Sequence, residues 1–340
     1  MIMTLLEINN LEVQFSTPNG LVRAVNGVDI TIKAGEIMAL VGESGSGKSI
    51  TGLSILGLIP KPNGKIVNGF INFEGINLVE KTEKEYRKIR GNDIAMIFQN
   101  PLTAMDPSFT VGNQMLEIIQ YRQGLSKKAA IEEAKNLLDL VGIHDPDRVL
   151  NSYPHALSGG MRQRAMIAMA LSCKPKLLIA DEPTTALDAT IQMQILALLK
   201  KINKELNTSI LFITHDFGVV ANLCDYVAVM YAGRIVEYGA TQEILTKPKH
   251  PYTKGLMNAM PETSLAIFEK SSKWKKKRLQ QIVGSPPDLL NLPIGCSFYS
   301  RCNEATSECQ NKFPKVSIKE NGHLVRCFNE EEAYAELIRS

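Results

Sequence analysis

The chain is 340 residues long, enough for a sizeable buried core and for more than one lobe. Hydrophobic residues make up 44% and charged residues 21%, which excludes a disordered chain, a collagen-like repeat and a coiled-coil rod. With 38 basic and 35 acidic residues the net charge is +3, too small to make nucleic acid the main partner.

No apolar stretch approaches the roughly 18–20 residues that span a bilayer. The start, MIMTLLEINN, lacks a basic segment ahead of an apolar run, so a cytoplasmic location is expected. In chain order, residues 36–41 (EIMALV) predict a buried strand ending at a glycine-rich turn, and residues 48–58 a helix. Residues 93–98 (DIAMIF), 176–180 (KLLIA) and 208–213 (TSILFI) predict further core strands. Between the strands at 93–98 and 176–180 lies a helical insertion. Its clearest helix starts at the N-cap Ser126, carries Ile131, Ala134, Leu138 and Val141 on one face, and stops at Gly142. Residues 227–232 and 234–238 predict a hairpin turning at Gly233. Strands alternating with helices indicate the α/β class.

Around residue 250 the character changes. Pro248, Pro251 and Pro261 break the pattern, a basic run follows at 270–278 (KSSKWKKKR), and SPPDLLNLP leads into four cysteines. This tail is expected to be a separate appended unit, without an apolar core of its own between Gly295 and Cys327. The basic run reads first as a solvated face, with a contact to membrane headgroups or a partner as the secondary reading. Cys173 and Cys224, in apolar surroundings, read as buried thiols.

Residues 42–49 (GESGSGKS) fit G-x-x-x-x-G-K-S between a strand and a helix. The backbone through Gly42, Glu43, Ser44, Gly45, Ser46 and Gly47 can fold tightly enough to aim successive N–H groups at phosphate oxygens. The helix start adds the positive end of its dipole. Lys48 supplies charge for the β- and γ-phosphates, and the Ser49 hydroxyl is a ligand for Mg²⁺. Asp181 and Glu182 close the apolar strand LLIADE. There Asp181 can hold Mg²⁺ through water, and Glu182 can orient and deprotonate an attacking water. Ser158, Gly159 and Gly160 open a helical run and form a second anion-binding start. Two phosphate-recognising loops with a single loop lysine suggest that two chains share each nucleotide.

With that second loop, the sequence resembles the ATP-binding subunits of ABC transporters. The motif order agrees: phosphate loop, Gln99, LSGG at 157–160, Asp181 and Glu182, the D-loop Ala186-Leu187-Asp188, then His215. Met161 stands where the family usually has Gln. By this resemblance Gln99 contacts the metal or water and senses the membrane subunits. His215 holds the γ-phosphate and helps place Glu182, and Phe15 stacks on adenine.

A narrower resemblance covers nearly the whole chain. QNPLTAMDPSFTVGNQ (99–114), HPYTKGLMNAMP (250–261) and the GC-F-x-x-RC beginning at Gly295 are similar to importers of the oligopeptide/dipeptide type, and nickel importers share the first two. The implied fold is a P-loop NTPase cassette: a RecA-like core, an antiparallel β subdomain, and a helical subdomain at about 100–170. Residues 1–250 are the ATP-binding domain, and 251–340 a metal-binding C-terminal extension. The implied cofactors are ATP and Mg²⁺. The implied partners are two transmembrane permeases, a second ATP-binding subunit and, indirectly, an extracytoplasmic solute-binding protein. The implied place is the cytoplasmic membrane face, as a peripheral subunit.

The tail cysteines Cys296, Cys302, Cys309 and Cys327 are spaced C-x₅-C-x₆-C-x₁₇-C. Zinc sites usually use closer pairs, although His323 can replace one thiolate, and ferredoxin spacings differ too. Spacing leaves zinc, an iron–sulfur cluster and unligated thiols open; the resemblance implies a 4Fe–4S cluster. The ATP site is expected to bind nucleotide independently of this tail.

Two other readings stand beside the transporter. A soluble ABC-type ATPase acting on nucleic acid or ribosomes usually carries two cassettes or long coiled-coil insertions, and neither is found in this sequence. An iron–sulfur redox module would leave the full ATPase motif set unexplained.

Overall fold

Residues 3–185, 187–259 and 281–330 are described by a computed structural model of the chain. The basic run at 270–278 and Ala186 of the expected D-loop lie outside the described residues. The strands are β1 (Thr4–Thr17), β2 (Gly20–Lys33), β3 (Ile37–Val41), β4 (Gly64–Phe73), β5 (Ile76–Asn77) and β6 (Ile94–Ile97). They continue as β7 (Leu177–Asp181), β8 (Ser209–Thr214), β9 (Tyr226–Tyr231), β10 (Arg234–Ala240), β11 (Ser317–Ile318) and β12 (Leu324–Val325). Contacts divide the chain into two compact units.

The first unit comprises Met1–Thr4, Ile32–Ile37 and Glu80–Ile213. Its β6, β7 and β8 pair in parallel, with Ile94 opposite Leu177 and Leu177 opposite Ser209. Every residue of β7 and β8 is buried, as expected of parallel strands covered on both faces. The helix Ala189–Leu206, capped by Asp188, buries Ile195, Leu196, Leu198, Leu199 and Ile202 on one stripe. The helical insertion contains Val111–Gln123, Lys127–Leu140 and Gly159–Leu171, N-capped by Thr110, Ser126 and Ser158. The helix after Ser126 thus starts where its cap predicts, and Gly142 follows it at φ 78°. Three residues of its expected face, Ala134, Leu138 and Val141, are fully buried. Ala130, Ala134, Leu137 and Leu138 are buried, while Ile131 stays half-buried.

The second unit comprises Leu5–Thr31, Met38–Val79 and Thr214–Ser340. β2-β1-β4-β5 form an antiparallel sheet with a register irregularity between Asn9 and Val13. β3 pairs in parallel with β9, and β9 turns back into β10 through Ala232 (φ 46°) and Gly233 (φ 80°). Two positive φ values make this the tight turn that matches strand twist. The helix after the glycine-rich loop runs only Lys48–Ile55, three residues shorter than expected, because Gly57 turns left-handed at φ 62°.

After residue 250 the chain continues the same sheet. β12 adds to β10, with Glu237 opposite Val325 and Tyr238 opposite Leu324, and β11 adds to β12. Phe298 (3% exposed) and Val325 (1%) are core residues after all. Their packing partners are on earlier strands and helices, so the tail's own sequence gives no hint of a core. Tyr231, Tyr252 and Phe298 form a mutual aromatic cluster with centroid separations of 4.6, 5.2 and 5.4 Å.

Candidate functional site

The glycine-rich loop leaves fully buried β3 and ends at Gly47, which caps the next helix at φ 106° with no side-chain cap. The helix's first N–H groups are therefore directed into the loop rather than at a capping oxygen. Two glycines are sterically required. A Cβ on Gly42 would run into the Met230 carbonyl, and one on Gly47 into the Ala24 carbonyl. The β9–β10 turn braces the loop, Gly233 N–H donating to Ser46 O at 2.8 Å. Lys48 is 5% exposed, and its Nζ donates to Gly42 O at 2.7 Å and Glu43 O at 2.9 Å. The Ser46 hydroxyl is buried without a partner. A buried orphan hydroxyl, an uncapped helix start and a buried lysine suit a phosphate.

Phe15, on β1, lies opposite Gly64 and is half-buried; its ring edge is so close to Gly64 that no side chain fits there. His215 is exposed between β8 and the helix Phe217–Leu223, which Asp216 caps by accepting from Gly218 N–H at 2.8 Å. All of these residues belong to the second unit.

The first unit holds the acids. Asp181 ends β7 and is 6% exposed. Glu182 turns away from the strand at φ 45°, its N–H donating to Ile213 O at 2.9 Å. One carboxylate oxygen accepts from Gln99 Nε2 at 2.9 Å and from Thr185 Oγ1 at 3.0 Å. Those two donors fix the carboxylate's direction. Sequence reading finds Gln99 and Glu182 separately; it misses Thr185, whose only signal is its position three residues after an acid at a strand end. Ser158 Oγ accepts from Met161 N–H at 3.3 Å, so the hydroxyl caps its own helix. Ser158 and Gly159 are exposed, and Gly160 packs toward Ile191.

The four tail cysteines line one narrow pocket together with His250, Phe298 and Glu304. Burial pushes the Cys296 and Cys327 thiols up to about 11 and raises Cys302 as well. Each sulfur receives backbone N–H groups: Cys296 from Phe298 and Tyr299, Cys302 from Glu304, Cys327 from Asn329. Thr306 N–H lies 3.5 Å from Cys309 Sγ. Among the described residues, however, no group of three or more His, Cys, Asp or Glu could hold a metal ion. The extension expected after residue 250 is present, with β11 and β12 among its described residues.

The tail also reaches the phosphate loop. Arg301 donates to both carboxylate oxygens of Glu43, Nη1 at 2.7 Å and Nη2 at 2.9 Å. Glu43 N–H donates to Tyr252 Oη at 2.9 Å. Spacing could not have found these contacts, which span 258 and 209 residues.

Among the described residues no helix is long and apolar enough to cross a membrane. The ABC transporter family matches residues 25–185, and the oligopeptide/dipeptide transporter C-terminal region matches residues 236–309. Oligopeptide transport ATP-binding protein AppD of Bacillus subtilis is 49% identical over 98% of this chain and 99% of its own. Oligopeptide transport ATP-binding protein OppD of Salmonella typhimurium is 47% identical over 95% of this chain and 93% of its own. Among solved structures, the dimeric post-hydrolysis ATP-binding cassette MJ0796 bound to ADP and Pi aligns with TM-score 0.63 at 27% identity, over 69% of this chain and 98% of that one. The α/β framework is accordingly an ABC ATPase cassette, and the chain belongs to the ABC transporter ATP-binding proteins that carry the oligopeptide/dipeptide transporter C-terminal region.

Proposed function

We propose that this chain is the ATP-hydrolysing motor of a membrane importer for di- or oligopeptides. The observation that carries the reading is Glu182, anchored by Gln99 and Thr185 in a chain that also holds a phosphate loop with an orphan hydroxyl. In this reading the loop from Gly42 to Ser49 cradles the phosphates, with Lys48 turning from the Gly42 and Glu43 carbonyls to the β- and γ-phosphates. Ser49, Gln99 and Asp181 would hold Mg²⁺, which when bound would offset phosphate charge. Glu182 takes the proton of the attacking water, His215 steadies the γ-phosphate, and Phe15 stacks on adenine. Ser158, Gly159 and Gly160 serve the nucleotide of a second ATP-binding subunit. Closure of that pair acts on two permeases at the cytoplasmic membrane face, and a solute-binding protein delivers the peptide outside. The names of the relatives support the peptide substrate. Co-expression with two permeases of an oligopeptide importer, followed by reconstitution, tests it. ATP-dependent peptide uptake is expected, and ATP turnover that no peptide and no permease alters contradicts it.

For the tail, the reading is a 4Fe–4S cluster on Cys296, Cys302, Cys309 and Cys327. Four thiols around one pocket, each met by backbone N–H donors, suit a cluster wider than a single ion. Bound, it would cross-link the 296–309 segment to Cys327, which follows β12. Protein purified without oxygen is expected to be brown, with about four irons and four sulfides per chain. A full complement of zinc without acid-labile sulfide contradicts the cluster.

A further inference from the structure

Glu43 places a carboxylate in a loop that receives a polyanion. Its carboxylate is borne by the second residue of the phosphate loop, and Lys48 Nζ, the loop's only cation, is bonded to its carbonyl oxygen at 2.9 Å. An uncompensated acid there repels the phosphates that the loop is built to hold. The structure supplies the compensation from the far end of the chain. Arg301 is 4% exposed in its side chain, makes a two-pronged bond to Glu43, and also donates to Tyr231 Oη at 3.3 Å. Its guanidinium is stacked near the Tyr231 and Phe298 rings, at 5.8 and 6.0 Å from their centroids. The backbone holds it as firmly: Arg301 N–H donates to Phe298 O at 3.0 Å and Cys302 N–H to Tyr299 O at 3.2 Å. Glu43 is thus fixed at its N–H by Tyr252 and at its carboxylate by Arg301, both from beyond residue 250.

We infer that Arg301 is a positioning residue of the nucleotide site, neutralising and orienting Glu43 so that the phosphate loop accepts ATP. It acts through Glu43 and touches no reacting atom. The inference rests on the ATP-site reading above, which a Lys48→Ala control tests separately. A second consequence follows from the chain path. Arg301 immediately precedes Cys302, so whatever orders the cysteine pocket also orders the arginine.

The test uses the full chain with Mg²⁺ and ATPγS in a calorimetric titration, and ATP turnover in the assembled transporter. Arg301→Gln is expected to weaken ATPγS binding by about tenfold or more. KM for ATP should rise in proportion while kcat at saturation stays near wild type, because Glu182 keeps its own partners. Arg301→Gln combined with Glu43→Gln is expected to recover to within about threefold of wild type, since the uncompensated charge is gone. A merely structural arginine would leave the double variant as weak as the single one. Cys302→Ser should weaken binding in the wild-type background and not in Glu43→Gln. Wild-type affinity in Arg301→Gln, or no recovery in the double variant, overturns the inference. If Arg301→Gln does not fold, Glu43→Gln alone decides. Leaving the guanidinium beside the loop must then keep affinity at or above wild type with a steeper salt dependence, and a loss of affinity overturns it.

Discussion

Replacing Glu237 by alanine is expected to loosen the attachment of the tail. The carboxylate on β10 is wholly buried and accepts from three sides: Lys249 N–H at 2.6 Å, His250 N–H at 3.1 Å and His323 Nε2 at 2.8 Å. It joins the start of the helix Pro251–Asn258 to the segment leading into β12. Removing it leaves those donors without an acceptor. Lys249 is half-buried, so water can replace that bond, whereas His250 and His323 are each 2% exposed. At about 1–3 kcal/mol for each stranded buried donor, the two together cost about 2–6 kcal/mol. Glu237→Gln keeps one acceptor oxygen and should cost about half as much. Chemical denaturation gives the total. Hydrogen exchange should localise it, with protection lost at amides 250–258 and 324–327 and kept in β6, β7 and β8. A Glu237→Ala protein within about 1 kcal/mol of wild type, or one losing protection uniformly, would refute the reasoning.

Lys48→Ala should lose nucleotide affinity outright, because no other base in the loop can meet the phosphates. Ser158→Arg should instead leave ATPγS binding to the isolated chain largely intact and abolish the nucleotide-bound pair, read by size-exclusion with light scattering. Equal loss of monomer binding in both contradicts a shared site. His250 is held down to about 4, chiefly by burial, with Lys254 adding to the shift and Glu237 opposing it. The unfolded chain binds a proton near 6.5 that the folded one refuses, so stability should fall as pH drops from about 6.5 towards 4. The loss should reach about 2 kcal/mol by pH 5. His250→Asn, which keeps a capping acceptor, should flatten that slope in denaturant melts, and an unchanged slope counts against it.

What the sequence made legible is local. The phosphate loop, the apolar runs of β3, β6, β7 and β8, and the Ser126 and Ser158 caps each depend on neighbours within a few residues. β1, β2 and β4 were reached only by resemblance, because their alternation is blurred by paired asparagines and a register irregularity at Asn9–Val13. The helix after Ser126 was placed correctly, and its face was right at Ala134, Leu138 and Val141, with Ala130 and Leu137 buried beside them and Ile131 only half-buried. The tail's core was illegible because Phe298 is buried by Tyr231 and Tyr252, residues 67 and 46 positions earlier. For the same reason Glu43 with Arg301, and Glu237 with His323, could not be paired by spacing.

The most direct test is ATP turnover by Glu182→Gln in the assembled transporter, with bound nucleotide counted after rapid gel filtration. The amide can keep an acceptor oxygen for Gln99 and Thr185, at 2.9 and 3.0 Å from the wild-type carboxylate, and loses only basicity. Hydrolysis should all but cease while ATP stays bound in a stable closed pair. Turnover at the wild-type rate, or failure to retain ATP, would contradict Glu182 as the base and with it the account of this chain as a motor built around that carboxylate.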